Sequence, residues 1–151
     1  MRWRCWRAVS SRLGQAILAA LWLTACANAP GADDISGLYR HAGPVAAILA
    51  VRPEGGRYLV RLEGGGSAQA GAASAADCVI EARGELEGGV LRAPFGPVET
   101  DTFSYGAAQA ADEARTVEIR FEPGGAEVVA ADTFGYCGLG AEFAGRYRIV
   151  D

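Results

Sequence analysis

Hydrophobic and polar residues alternate with a period of two along most of the chain after residue 35. In segment 57–63, Tyr58, Val60 and Leu62 share one face while charged residues occupy the other, and segments 78–86 and 116–122 repeat the pattern. Successive side chains of a strand point to opposite faces, so this alternation predicts half-buried antiparallel strands. The predicted strands are 37–42, 45–51, 57–63, 78–86, 89–95, 116–122, 126–132 and 142–150.

Glycine-rich turns separate several of these strands. The turns lie at 53–56, 87–89 and 123–125, and their sequences are typical of β-hairpins. Sequential hairpins favour an up-and-down order, and about eight such strands close into a small barrel. The sequence therefore predicts an all-β fold, a small antiparallel up-and-down barrel, and the 151 residues leave room for one core.

Two segments interrupt the alternation. Segment 64–77 consists almost entirely of Gly, Ala and Ser, and it predicts a mobile loop. Segment 97–115 is longer than a hairpin needs, and we expect a weak strand near 100–105 and one or two helical turns over 107–114. Long loops in compact domains often carry function.

The chain also contains two internal similarities. Residues 37–40 read Gly-Leu-Tyr-Arg and residues 145–148 read Gly-Arg-Tyr-Arg, in the first and last predicted strands. These strands are neighbours in a closed barrel, so we expect a packing role in which each Gly makes room for a ring. Residues 101–106 similarly resemble residues 132–137.

The N-terminal segment has the layout of a secretory signal. Four arginines and no acid occupy residues 2–12, and an apolar run follows at 13–23. A helix of that length spans only about 16 Å, which is too short to cross a bilayer. Residues 23–26, Leu-Thr-Ala-Cys, resemble the lipobox of bacterial lipoproteins, whose cysteine receives a diacylglyceryl group before the chain is cut in front of it.

This resemblance implies a signal peptide at 1–25, a lipidated tether at 26–35 that begins with Cys26, and a β-barrel domain at 36–151. Ordinary signal cleavage after 27–29, Ala-Asn-Ala, is the alternative. Ala27 stands where a retention Asp would stand in a lipoprotein, which favours the periplasmic face of the outer membrane. The membrane is then a partner through the lipid anchor, and the tether reaches at most about 30 Å.

The remaining cysteines, Cys78 and Cys137, predict one structural disulfide. They would lie in an oxidising compartment, where two remaining thiols form a bridge. A redox pair would instead show a Cys-x-x-Cys spacing, and a metal site would need more ligands than the single His41 adds. We therefore expect no metal and no cofactor.

Charge restricts the classes of partner. Processing before Cys26 removes four of 14 arginines and none of the 18 acids, which leaves a net charge of about −8. Such acidity disfavours nucleic acid and anionic lipid surfaces, and it favours a cationic partner.

No catalytic motif stands out. The chain lacks a Gly-x-Ser-x-Gly elbow, a phosphate loop and a dinucleotide fingerprint, and its acid pairs lie in loops where solvation explains them. We predict a protein that is not an enzyme, with His41 as a solvated residue near a turn.

The end of the chain carries a further resemblance. Residues 136–147, Tyr-Cys-Gly-Leu-Gly-Ala-Glu-Phe-Ala-Gly-Arg-Tyr, resemble the closing motif of small periplasmic proteins of Gram-negative bacteria. Residues 36–39 read Ser-Gly-Leu-Tyr, which is similar to the Ser-Gly-x-Tyr motif of one family of bacterial lysozyme inhibitors. In this chain the motif lies in the first predicted strand, and the Lys that related lipid-anchored inhibitors use is absent.

The resemblance implies that the protein binds lysozyme, a cationic partner of the class that the net charge favours. We expect the protein to be a monomer. The candidate partner-binding residues are Ser36, Tyr39, Tyr105 and Tyr136. One alternative is a calycin-like carrier of a small apolar ligand, in which inward-facing Ala82, Gly84, Ala93 and Gly145 would leave a cavity. A structural envelope lipoprotein is the other alternative.

Overall fold

The computed structural model of the protein describes residues 34–67, 78–138 and 140–150. The predicted signal peptide, the lipidation site Cys26 and nearly all of the tether lie outside the described residues. Within the described ranges, no helix is both long and apolar enough to cross a membrane.

The described residues form strands and one short helix. The strands are β1 (Gly37–His41), β2 (Val45–Glu54), β3 (Arg57–Ser67), β4 (Cys78–Glu87), β5 (Val90–Pro94), β6 (Val98–Glu99), β7 (Ser104–Tyr105), β8 (Thr116–Glu122), β9 (Gly125–Ala131) and β10 (Gly145–Val150), with helix α1 (Ala107–Glu113) between β7 and β8.

Eight of these strands form a closed antiparallel barrel. Their order is β1-β10-β9-β8-β5-β4-β3-β2, so the first and last strands are neighbours. Chain neighbours are also neighbours in the barrel, which confirms the predicted all-β, up-and-down architecture. Strands β6 and β7 form a separate two-stranded sheet where one weak strand was expected.

The prediction of a loop from residue 64 onward was wrong for its first residues, because β3 continues to Ser67. A bulge between Ala46 and Ala47 lets the pairing with β2 continue past Gly64. Gly64 has φ +98°, and a Cβ there would lie 2.1 Å from the Ala46 carbonyl oxygen, so only glycine fits. Residues 68–77 of the same segment lie outside the described residues.

Side chains from every strand fill the barrel interior. Leu49, Val60, Leu62, Ile80 and Ile119 have no solvent exposure. The alternative of a ligand carrier needs small inward residues to leave a cavity, and at two of them, Gly84 and Gly145, neighbouring groups approach closely.

Gly84 shows the reason at the β4–β5 contact. A Cβ at Gly84 would lie 2.5 Å from the Arg92 carbonyl oxygen and 2.9 Å from the Ala93 Cβ. A Cβ at Gly145 would lie 2.6 Å from Nε2 of His41. Gly145 therefore makes room for a ring, as expected, and that ring is His41 of the neighbouring strand. At Gly37 the nearest group is instead the Ile149 side chain, at 3.4 Å.

The two similar Gly-x-Tyr segments close the barrel at opposite ends. The Tyr39 hydroxyl donates a hydrogen bond of 2.8 Å to the carbonyl of Ile35, and the Tyr147 hydroxyl donates one of 2.9 Å to the carbonyl of Phe143. Each tyrosine thus holds a buried apolar residue four positions upstream. Because β1 and β10 are antiparallel, the two arrangements fall at opposite ends.

We name these ends by their connections. The hairpin end contains the turns at 55–56, 88–89 and 123–124 and the start of β1. The disulfide end contains the connections 95–115 and 132–144 and the turn between β1 and β2.

Replacement of Tyr147 by Phe tests this closure. The change leaves the buried Phe143 carbonyl without its donor, so the free energy of unfolding should fall by about 1–3 kcal/mol in urea denaturation. The control is Tyr58→Phe at a half-buried ring for whose hydroxyl the described residues offer no hydrogen bond. Equal losses in the two variants would contradict the proposed role of the Tyr147 hydroxyl.

Candidate functional site

The disulfide end is held by the predicted bridge between Cys78 and Cys137. Their Cα atoms lie 5.4 Å apart, and the bridge joins positions 59 residues apart in sequence. On the chain-entropy model, closing such a loop stabilises the fold by about 4 kcal/mol. The bridge fixes the 132–144 connection to the start of β4.

The four predicted partner-binding residues do not form one site. Ser36 and Tyr39 lie at the hairpin end, whereas Tyr105 and Tyr136 lie at the disulfide end. The three tyrosines are 4%, 1% and 8% exposed, respectively. Their rings pack inside the protein, so none of them presents a surface to a partner in this conformation.

Tyr136 is the centre of an aromatic cluster. The rings of Phe95 and Phe103 lie 5.1 Å from it and the ring of Tyr105 lies 4.7 Å from it, all edge to face. Its hydroxyl donates a hydrogen bond of 2.8 Å to the Val79 carbonyl. Edge-to-face pairs stabilise such clusters by more than the burial of their apolar area alone. The cluster therefore supports the 132–144 connection, to which Tyr136 belongs.

Burial dominates the ionisation of these rings. It raises the pKa of Tyr136 to about 12, with the charge of nearby Tyr105 as a smaller cause. Burial also raises the pKa of Tyr105, and Glu113 adds to that shift. Both phenols are therefore neutral at ordinary pH and serve as packing groups.

A tight turn at 133–136 projects from this base. The amide of Tyr136 donates to the Thr133 carbonyl at 3.0 Å, which places Phe134 and Gly135 at the centre of the turn. Gly135 has φ +72°, the conformation that favours glycine at the third position of a turn. Phe134 lies at the tip and is 93% exposed.

Arg115 secures the turn from the side. Its Nη1 donates to the carbonyls of Asp132 at 2.9 Å and Phe134 at 2.6 Å, while its Nε donates to Glu113. The Asp132 carboxylate accepts hydrogen bonds from the Thr116 amide and hydroxyl at 2.9 and 3.1 Å. The guanidinium carbon also lies 5.8 Å from the centre of the Tyr136 ring. Backbone and side-chain bonds thus hold the turn from both sides.

The exposure of Phe134 distinguishes it from ordinary surface residues. Single apolar residues on a surface are normal, but the other exposed large apolar side chains among the described residues keep more than half of their surface covered. Hydrogen bonds already fix the backbone of this turn, so binding would cost little further backbone entropy. This geometry is suited to insertion of Phe134 into an apolar pocket of another molecule.

The two long connections of the disulfide end are rich in acidic residues. Segments 95–115 and 132–144 carry six carboxylates and one arginine: Glu99, Asp101, Asp112, Glu113, Asp132 and Glu142, with Arg115. Of the six, Glu113 is ion-paired with Arg115 and Asp132 bonds to Thr116. The disulfide end is therefore predominantly negative.

Sequence reasoning missed Phe134 although it lies in a segment that the internal similarity had singled out. In segment 101–106 the equivalent ring, Phe103, packs against Tyr136, whereas Phe134 points outward. The two segments differ at the next residue. Phe103 is followed by Ser104 at the start of β7, whereas Phe134 is followed by Gly135 in a turn. Only the glycine permits the reversal that carries Phe134 to the tip.

His41 is more tightly held than expected. Its Nδ1 accepts a hydrogen bond of 3.0 Å from the Gly43 amide, so Nε2 carries the proton and donates to the Ala144 carbonyl at 3.3 Å. The ring also packs edge to face on Tyr147 at 5.1 Å. Among the described residues, no group of three or more His, Cys, Asp and Glu is placed to hold a metal ion.

Comparison with known proteins adds no relative: no protein-family model, no curated protein and no solved structure matches this chain.

The raised pKa of Tyr136 predicts a loss of stability in alkali. The Tyr136 phenol ionises near pH 10 in the unfolded state and near pH 12 in the folded state. Its contribution to the free energy of unfolding is therefore constant below about pH 10 and falls by up to about 1.4 kcal/mol per pH unit between about pH 10 and 12. The free energy of unfolding, measured from about pH 9 to 12, should decline more steeply in the wild type than in Tyr136→Phe. Parallel curves would show that Tyr136 ionises equally in both states.

Proposed function

We propose that this chain is a lipid-anchored, non-enzymatic protein of the periplasmic face of the outer membrane that binds a cationic partner protein through its disulfide end. Phe134 is the anchor of that contact. Inhibition of a lysozyme is the most specific form of the proposal. The observation that carries it is the exposed Phe134 ring on a turn held by Arg115 and supported by the bridge at Cys137.

Two features support the compartment. The sequence at 23–26 has the pattern of a lipidation site at Cys26. A disulfide between Cys78 and Cys137 persists in an oxidising environment such as the periplasm.

The energetic argument for Phe134 follows from its exposure. Burial of a Phe side chain stabilises a complex by about 1.5–3 kcal/mol. The few residues that contribute most of the binding energy of an interface are commonly aromatic and lie in well-packed pockets. The backbone of the turn is already ordered by its hydrogen bonds, so it loses little further entropy on binding.

The carboxylates of connections 95–115 and 132–144 would increase the association rate of the partner more than its affinity. Charges at the rim of an interface mainly increase the association rate of an oppositely charged partner, and salt screens them. A cationic protein is therefore the class of partner that this end attracts.

The anchor can be tested directly. Replacement of Cys26 by Ser removes the thiol that would receive the lipid, so labelling by radioactive palmitate should disappear and the protein should leave the membrane fraction. Two acyl chains hold a protein firmly, whereas a protein without them stays in solution. Unchanged labelling of the Cys26→Ser variant would refute lipidation at this residue.

The partner contact is tested by calorimetry with chicken-, goose- and invertebrate-type lysozymes at about 50 mM salt. We expect one of them to bind with a micromolar or lower Kd. Phe134→Ala should then weaken binding by about 2 kcal/mol, roughly thirtyfold, because the ring no longer fills its pocket.

Val129→Ala is the matched control, since Val129 is 40% exposed on β9 rather than on the turn. Equal losses in the two variants would argue against Phe134 as the anchor. An absence of both heat and inhibition with all three lysozymes would exclude the lysozyme-inhibitor form of the proposal.

A further inference from the structure

The arginines of the barrel divide into two groups. Six of the ten in the described residues form ion pairs with carboxylates: Arg57, Arg61, Arg83, Arg92, Arg115 and Arg120. The other four, Arg40, Arg52, Arg146 and Arg148, have no carboxylate of the described residues within 4.0 Å. All four are exposed on the three adjacent strands β1, β2 and β10.

The pairing register makes this contrast sharper. Elsewhere on the outer face, opposite charges face each other across strands and bond, as Arg61 does with Glu81 at 2.5 Å and Arg92 with Glu118 at 2.9 Å. On β1 and β10, Arg40 lies directly opposite Arg148. Arg146 lies opposite Glu127, but the Glu127 carboxylate bonds to Arg120 at 2.9 Å. Like charges in such positions destabilise a sheet, and their presence indicates a function outside the barrel's own stability.

Apolar side chains continue the same face toward the hairpin end. Leu38 lies opposite Val150 and next to Ala50, and Leu38 and Val150 are 44% and 37% exposed. We call the outer surface formed by Leu38, Arg40, Arg146, Arg148 and Val150 the arginine face. It combines guanidinium groups with exposed aliphatic groups, which is the composition of surfaces that lie at a membrane interface.

A groove of about 400 Å³ adjoins this face at Arg40, His41 and Ile48. Glu63 also lines the groove, and its carboxylate is bonded to Arg61 at 2.5 Å. The groove provides space beside the Arg40 guanidinium for a small anionic group.

The chain enters the barrel beside this face. Asp34 is the eighth residue after Cys26, and an extended chain of that length spans about 28 Å. A lipid on Cys26 therefore keeps the start of β1, and with it the arginine face, within reach of the bilayer surface.

We propose that the arginine face binds anionic phospholipid headgroups of the membrane that holds the Cys26 lipid; this rests on the proposed lipid anchor. Arginine binds phosphate through paired N–H donors, and clusters of basic residues next to a membrane attract anionic lipids. The net charge of the chain had argued against such lipids, but strands β1 and β10 together carry Arg40, Arg146 and Arg148 and no acidic residue.

The test uses the full chain with its native lipidation, carrying Leu38→Trp as a reporter. The three natural tryptophans, Trp3, Trp6 and Trp22, precede Cys26, so the processed protein has none of its own. The variant is placed in brominated phosphatidylcholine vesicles with or without about 30% phosphatidylglycerol. Bromine quenching should be about twofold stronger with phosphatidylglycerol and should lose this increase at about 0.5 M NaCl.

Two controls locate the contact. Val129→Trp, of similar exposure on β9, should be quenched equally in both kinds of vesicle. The R40Q and R148Q substitutions, added together to Leu38→Trp, should abolish the increase. Equal quenching of Leu38→Trp in both vesicles, or an increase that survives R40Q and R148Q, would overturn the proposal.

Flotation with pure phosphatidylcholine vesicles separates this proposal from the anchor. A chain that does not float refutes the lipid anchor, and the proposal built on it fails as well. A chain that floats without any dependence of Leu38→Trp quenching on phosphatidylglycerol refutes the arginine face alone.

Discussion

Closure of the barrel rests on the antiparallel pairing of β1 with β10, which runs from Leu38–Val150 to His41–Tyr147. The same two strands supply Tyr39 and Tyr147, whose hydroxyls hold Ile35 and Phe143 in the core. Closure removes the free edges that an open sheet would expose. Everything at the two ends, including the arrangement of the long connections, depends on this closed frame.

Contacts with the closed barrel hold the 132–144 connection in place. Phe143 packs near Gly65, where a Cβ would approach its ring to 3.0 Å, and the Glu142 amide donates to the Gly65 carbonyl at 2.9 Å. The 132–144 connection is therefore fixed at its far end by β3 and in its middle by the Cys137 bridge. The turn at 133–136 lies between the end of β9 and the Cys137 bridge, so it has little freedom, and Phe134 at its tip is 93% exposed.

Charge is distributed unevenly over the surface of this protein, so its net charge does not describe each face. An acidic chain carries an outer face where Arg40 lies opposite Arg148, while six other arginines of the described residues form ion pairs with a Glu. Field strength near a surface depends on the nearest charges because salt screens distant ones within about 8–10 Å. The net charge therefore describes solubility better than it describes any one face.

The sequence by itself determined the approximate positions of the eight barrel strands, their order and the disulfide pair. Alternation is a local property that a half-buried strand imposes on every second residue, and only two cysteines remained to pair. It also identified segments 101–106 and 132–137 as similar.

Only the tertiary structure decided which rings of those segments are buried. Tyr136 meets Phe95, Phe103 and Tyr105 from distant parts of the chain, and Phe134 is left outside. The facing of Arg40 with Arg148 likewise appears only when β10 closes on β1. Both features depend on contacts between residues far apart in sequence, which local patterns do not encode.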